Sequence, residues 1–428
     1  MVRHALEELP ESLDETYERV LKEIKKPNRS HSRRLFQCLV VAIRPLRVEE
    51  LAEVLAFDFN DVSGIPKLKP SWRWEDQEQA LLTSCSSLIA IVDTGVSRVV
   101  QFSHFAVKEF LTSARLATSS LDISRYHVVL EPAHGILAQV CLSTLLQLDN
   151  LIEDSSAEKY SPLAGYAAEH WVRHAQFEDV ASRIKGMEDL FDTGKPYFAA
   201  WCRLHDIDVP PSPPSVFFGF TPISKSGANT PLYYAALCGF QNLAEQLIIK
   251  DPHQLHAIGG YYLTPAVAAL AGRHFQLAQV LHRNGSSLEP RGDSGNTPLH
   301  CAASYDDFEM VQVILNCKVD VNAQNDFGST PLDSAMRGHL NDSSIVRLLL
   351  DHGADPNIPE RDGLTPLHQA SQKGRIEIAR VLLERGASIE VEDKWGRTPS
   401  NVASGEQHDE IINLLLEHGA VRERTMEY

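Results

Sequence analysis

The sequence predicts a mainly α protein: a solenoid of stacked turn–helix–helix repeats, preceded by a helical unit that carries one β-hairpin. Three observations predict it. Thr-Pro recurs at Thr230, Thr264, Thr297, Thr330, Thr365 and Thr398, with spacings of 34, 33, 33, 35 and 33 residues. Apolar residues at helical spacing follow each Thr-Pro, and most of these stretches end at a glycine. In the first half the periodicity is helical, except where two β-rich runs flank Thr94-Gly95-Val96-Ser97.

Composition narrows the function classes. The 428 residues are 43% hydrophobic and 23% charged, which is globular and enough for two or three domains. A net charge of −17, acidic in both halves, disfavours direct contact with a phosphate backbone. The seven cysteines are scattered and never spaced Cys-x-x-Cys, so neither a disulfide framework nor a zinc site is expected, and no metal or cofactor is assigned. Met1–Glu18 carries acids where a signal peptide would be apolar, and the longest apolar stretch, Gly135–Leu148, is too short to span a bilayer. The reading is a soluble intracellular chain, cytoplasmic or nuclear. Lys25-Lys26 and Arg33-Arg34 are too thin to count as a localisation cluster.

Each position of the repeat has a mechanical reason. Threonine at a helix N-cap accepts from free amides of the first turn, and proline next to it loses nothing by lacking an N–H. Gly295, Gly328, Gly363 and Gly396 stand two residues before the threonine, where a tight turn needs positive φ. Small residues after Thr-Pro-Leu-His let the first helix lie close to its neighbours. A second apolar pattern, such as Ile376, Ala379, Val381, Leu382 and Leu383, makes the second helix, and Gly285, Gly353, Gly386 and Gly419 stop it. One such unit cannot bury its own apolar face, so the units must stack.

Thr297-Pro298-Leu299-His300, Thr365-Pro366-Leu367-His368, Val319–Ala323 and Leu349–Asn357 closely resemble the ankyrin repeat family, over about Lys225–Val421. The first repeat has an extra residue between Gly227 and Thr230. The second puts Tyr262 in place of the turn glycine, so irregular turns are expected in both. The fourth gains two residues around Asn341-Asp342, and the sixth, with Ser400 and Asn401, reads as a capping repeat. The resemblance implies a curved stack whose turn tips and first helices line a concave, protein-binding surface. Carried onto this sequence, the partner-binding positions are Tyr262, Asn296, Ser304, Tyr305, Phe327, Ser329, Arg337, Leu364, Gln372, Lys373, Trp395 and Arg397. It also implies that His300 and His368 hydrogen-bond within the scaffold instead of acting in catalysis. Arg291-Gly292-Asp293 is read as coincidence at a repeat boundary.

In the first half, Leu13, Tyr17, Val20, Leu21 and Ile24 mark a helical face over Ser12–Ile24, capped by Ser12 or Asp14. Helices follow over Ser32–Ile43 and Glu49–Ala56, then a loop with Pro66, Pro70, Trp72 and Trp74, and a helix near Gln77–Ser84. Leu88–Asp93 and Arg98–Phe102 form the hairpin, and Ser103 caps a closing helix through Leu116. Three helices, a hairpin and a closing helix make a winged-helix plan. A third helix carrying Glu49, Glu50 and Glu53 would repel DNA phosphates, so this plan is assigned to protein packing.

Leu9–Arg19, Arg44–Leu51 and Phe102–Leu111 resemble the region that follows the nucleotide-binding domain in fungal NACHT-type signalling ATPases, over about Leu6–Phe177. The resemblance implies that His104 would face a bound nucleotide. Yet no Gly-x4-Gly-Lys-Ser/Thr cradle exists here, and Gly194-Lys195 is followed by Pro196, so His104 is assigned to packing or capping. Because Met1 lies just before the opening helix, the chain is either a natural relative without the nucleotide switch or part of a larger parent. His170 and His174, four apart on a helix over Tyr166–His174, are read as structural. Glu178–Phe198 is expected to be helical with interruptions, and Val209–Ser215 is a stiff proline spacer.

The expected layout is thus a winged-helix-like domain over 1–116, a helical region over 117–208, a Pro-rich linker over 209–224 and six ankyrin repeats over 225–428. The favoured function is a scaffold that binds a partner protein, in signalling or regulation. Alternatives are a transcription coregulator acting through a DNA-bound partner, or the remnant of a NACHT switch. The sequence lacks a Gly-x-Ser-x-Gly elbow, His-Glu-x-x-His and a dinucleotide fingerprint, so no enzymatic activity is expected.

Overall fold

The structure is a computed structural model, and it describes residues 12–60, 64–148, 161–208, 230–292, 294–338 and 343–421. The chain divides into two compact units, Met1–Ile207 and Asp208–Tyr428. The proline spacer, the turn of the first repeat, Asp293 and the Asn341-Asp342 insertion lie outside the described residues.

The first unit opens with helix Leu13–Glu23, where the Ser12 hydroxyl accepts from Glu15 N–H. Helix Arg29–Val41 begins three residues earlier than its apolar pattern, because Pro27 opens a 3-10 turn that runs into it. Val48–Leu55 and Gln77–Cys85 follow. Ile89–Asp93 pairs antiparallel with Arg98–Phe102, and Leu46–Arg47 adds a third short strand against Val99 and Val100. That strand is two residues long, too short for period-two alternation to show in the sequence.

The closing helix differs from expectation. Its cap is His104, not Ser103: His104 Nδ1 accepts from Ala106 N–H at 3.2 Å. The helix also ends at Thr112, and Ser113 caps a separate turn over Ala114–Ala117. Two N-cap residues within ten positions divide what periodicity alone reads as continuous. Glu178–Phe198 is likewise mostly short turns: a 3-10 helix over Val180–Arg183 and one α-turn over Met187–Leu190.

The buried middle of this unit is the apolar helix Leu130–Leu145, packed between Arg29–Val41 and Ala164–Ala175. Trp171 and Trp201 meet edge to face at 5.3 Å, and the Trp201 indole donates to Ala168 O.

In the second unit all six threonines stand at N-caps and all six prolines open helices: Pro231–Cys238, Pro265–Ala271, Pro298–Ser304, Pro331–Ala335, Pro366–Gln372 and Pro399–Gly405. Each is followed by an antiparallel second helix, from Gln241–Lys250 to Asp409–Glu417. Gly285, Gly353, Gly386 and Gly419 stop second helices with positive φ, while Lys318 takes that conformation in the third repeat. In the second repeat the positive φ moves from position 262 to Gly260 and Leu263, so its turn is irregular as expected.

In repeats three to five the residue three after the threonine sets how the repeats join. Thr297 N–H donates to His300 Nδ1, and His300 Nε2–H donates to Ser329 O of the next repeat at 3.0 Å. His368 repeats this with Thr365 and Arg397 O. Both imidazoles are therefore scaffold groups. Burial pushes the His300 pKa down to about 4, so it stays a neutral ring able to accept and donate at once. In the fourth repeat the position holds Asp333, whose Oδ2 accepts from Thr330 N–H and hydroxyl, while Oδ1 accepts from Gln369 of the next repeat. Asn401 accepts the two Thr398 bonds with Oδ1 in the last repeat.

Asp333 is fully buried, and desolvation lifts its pKa to about 6 despite the Thr330 bonds. Because the folded value lies above the unfolded one, the proton stabilises the fold fully below about pH 4, and this contribution is lost as pH rises through about 6. Asp333→Asn, which copies Asn401, should therefore stabilise the protein at pH 7. Its advantage over the parent in urea unfolding should shrink by on the order of 2 kcal/mol between pH 7 and pH 4.

Candidate functional site

The helical hairpins are joined by β-like turns with one pattern. In the last four repeats a residue five before the threonine donates its N–H to the carbonyl just before that threonine: Gly292 to Asn296, Asn325 to Ser329, Glu360 to Leu364 and Asp393 to Arg397. Asn325 Oδ1 accepts from Phe327 and Ser329 N–H, and Asp393 Oδ1 accepts from Trp395 and Arg397 N–H. Successive tips are stitched by main-chain bonds, Asp326 N–H to Ser294 O, Arg361 N–H to Phe327 O and Lys394 N–H to Asp362 O. Close approach demands glycine: a Cβ on Gly363 would lie 2.9 Å from Lys394 N.

This stitching presents the tip side chains. Trp395 is 56% exposed and lies beside two cations, Lys394 Nζ at 4.4 Å and the Arg397 guanidinium at 4.7 Å from its ring. Phe327 is 52% exposed. Tyr305, Gln372 and Lys373 are exposed at the ends of first helices, whereas Tyr262 and Leu364 are half-buried. Tyr262 sits edge to face with Tyr261, and its N–H donates to Tyr233 OH.

Some of the twelve positions serve the scaffold instead. Ser329 is fully buried; its hydroxyl lies between Arg337 and Glu360, and its carbonyl receives His300, so it is not a surface contact residue. Asn296 Oδ1 accepts from Asn325, and the Ser304 hydroxyl turns back to Cys301 O. Arg337 and Arg397 keep about half of their side chains exposed while bonding Ser329 and Asp393. Sequence reasoning missed Tyr261, Lys394 and Arg375. Each adjoins a chosen position or its turn glycine, so their placement beside Tyr262, Trp395 and Gly374 was the available signal. Arg291 donates to Gln324 O and Gly295 O, which makes it a repeat-to-repeat strut.

The first unit answers the other candidate sites. Glu50 is wholly buried and receives bidentate bonds from Arg44 at 2.7 and 2.8 Å, plus Arg47 N–H and Nε. Burial opposes its ionisation, yet those bonds hold its carboxyl below the usual range. Arg73 holds buried Glu53 in the same way. So the acids expected to face solvent on this helix are internal ion pairs, apart from Glu49. A charged residue at helical spacing reads as surface unless its partners, here three to twenty residues away, are seen together.

His170 and His174 do not converge on one point. His174 bridges Tyr166 OH and His134 Nδ1, both at 2.9 Å, and burial drives its pKa down to about 3. His170 packs edge to face on the Tyr166 ring. His104, at the cap, also lies 3.4 Å from Tyr17 OH.

Comparisons with known proteins bear out both resemblances. Residues 266–360 and 335–425 match the family model for ankyrin repeats (3 copies), and residues 17–123 match that for the GPI inositol-deacylase winged helix domain. The chain thus carries ankyrin repeats behind a winged-helix domain of a NACHT-associated kind. It is also 30% identical over 300 residues, 66% of this chain, to azaphilone pigments biosynthesis cluster protein L of Monascus ruber. It spans 61% of that relative's length. Among the described residues no helix is long and apolar enough to cross a membrane.

Truncating Glu50 to Ala should cost about 3–5 kcal/mol by leaving Arg44 and Arg47 without their buried partner. Glu49→Ala, at the half-buried position beside it where the carboxylate stays in reach of water, should change stability by less than ~1 kcal/mol. Guanidinium unfolding of the two variants checks both figures.

Proposed function

We propose that the chain is a non-enzymatic interaction protein that binds a partner polypeptide on the hairpin-tip and first-helix side of its repeats, in a signalling or regulatory setting. The observation that carries this reading is the exposed Trp395 and Phe327 on tips held rigid by Asp393, Asn325 and the main-chain stitching. Large rings held in place lose little entropy on contact, which is what an interface anchor requires. Ankyrin repeats in general bind other proteins, which supports the reading. The coregulator reading would use this same surface, with a nuclear location in place of a cytoplasmic one. The relative's name ties that protein to a pigment biosynthesis cluster, and a supporting role beside biosynthetic enzymes is the setting we extend to this chain.

The test is quantitative affinity capture with the parent chain beside Trp395→Ala/Phe327→Ala. Both rings are more than half exposed, so thermal unfolding of the double variant should match the parent within about 2 °C. Specific binders should fall at least fivefold on the variant. Equal recovery on both proteins would remove these tips from the interface.

A further inference from the structure

We propose that the first-helix side of repeats two to five takes an extended acidic segment of a partner protein, with its carboxylates over Arg337, Lys373 and Arg375 and an apolar side chain against Tyr261, Tyr262 and Tyr305. This deepens the partner-binding reading and rests on it, adding the chemistry of the partner.

Several cations elsewhere in the repeats are neutralised by carboxylates. Arg273 reaches Asp307 at 2.7 Å and Glu309 at 2.9 Å, Arg347 reaches Glu377 at 2.7 Å, and Arg385 reaches Asp351 at 2.6 Å. Lys373 and Arg375 are different. Lys373 Nζ donates to Met336 O at 2.6 Å and Arg375 Nη2 donates to Gly338 O. Carbonyls hold these side chains in place without cancelling their charge. Among the described residues neither cation has a carboxylate within 4 Å, and the buried Arg375 Nη1 has no hydrogen-bond partner.

Arg337 completes the cluster from the preceding repeat. Its guanidinium bonds the Ser329 hydroxyl at 2.9 Å, with Glu360 at 3.6 Å. Partial burial lowers the Lys373 pKa, and the fields of Arg375 and Arg337 lower it further, so the three charges act on one another. Three carboxylates border them: Glu360 beside Arg337, Asp306 beside Gly338, and Asp333, which is buried and turned to Thr330. They do not pair with Lys373 or Arg375.

The neighbouring repeats supply aromatic surface. Tyr261 and Tyr262 sit at the second tip with ring centroids 5.1 Å apart, and Tyr305 ends the first helix of the third repeat at 40% exposure. The Tyr305 hydroxyl lies within the field of Tyr261, so the three rings share one neighbourhood. First helices in adjacent repeats pack about 8–10 Å apart. Tyr305 and Lys373, at matching positions two repeats apart, are therefore spanned by roughly five to six extended residues. On a chain of net charge −17, two fixed cations held by carbonyls and not by carboxylates, Lys373 and Arg375, select a partner by sign. Three cations are too few to hold a nucleic acid against that overall charge.

The experiment pans random twelve-residue peptides displayed on phage against the intact chain, then titrates the most enriched peptide, made synthetically with a fluorescent label. Enriched sequences should carry several Asp or Glu beside an aromatic or aliphatic residue. Affinity should fall at least tenfold between 50 and 300 mM NaCl, and at least tenfold in Lys373→Glu and in Arg337→Gln. Should a variant unfold, the salt titration on the unaltered chain still decides the question. Neutral or basic enriched peptides, salt-independent binding, or tighter binding of a twenty-nucleotide oligo-dT would overturn the proposal. If neutral peptides bind but are lost in Trp395→Ala/Phe327→Ala, the partner-binding reading survives and the acidic occupant does not.

Discussion

The middle of the repeat half depends on one short-range interaction, made by the side chain three residues after the capping threonine. In repeats three, four and five that side chain satisfies the threonine amide and then bonds the following repeat: His300 to Ser329 O, Asp333 to Gln369, His368 to Arg397 O. One group thus closes the first turn of its own helix and holds the next repeat, by its hairpin for His300 and His368 and by its first helix for Asp333. A solenoid has no long-range contacts to correct an error, so junction strength governs how far order propagates. Burial of these groups makes each junction costly to break, because an unpaired buried donor or acceptor loses its whole desolvation energy.

Surface function follows from that rigidity. The carbonyls that receive His300 and His368 belong to Ser329 and Arg397, the last residues of the hairpins that display Phe327 and Trp395. A buried bond therefore sets the position of an exposed anchor two residues away. The second loop ladder has the same character: Asn322 bridges to Gly353 and Asp355, and Asn357 bridges to Gly386 and Ser388. Between the two ladders, side chains of the first helices can vary without disturbing the stack, which is where chemistry for a partner can be written.

The sequence made the periodic parts legible and the non-local parts invisible. Thr-Pro spacing gave every N-cap, since capping is decided within three residues. The hairpin was readable because Gly95, with φ of +81°, marks its turn. Glu50 was misread because its partners fold back around it from Arg44 and Arg47, and helical spacing alone assigns an acid to the surface. Ser329 was misread for a related reason: a hairpin position looks exposed until Arg337 and Glu360 close over it. Asp333 went unnoticed as the counterpart of His300, although its place three after Thr330 could have found it. What remained hidden was which side chains meet once the chain has folded, even where they stand only three to eight residues apart.

The most direct measurement is the protonation state of the two junction histidines. Long-range 15N–1H spectra of the intact chain should show His300 and His368 as neutral rings bearing the proton on Nε2, His300 unchanged until the pH approaches about 4 and His368 titrating below the ordinary histidine value. Nδ1-protonated rings, or titration near the ordinary histidine value of about 6.5, would mean that these side chains do not bridge successive repeats, and the account of the surface built on them would fail.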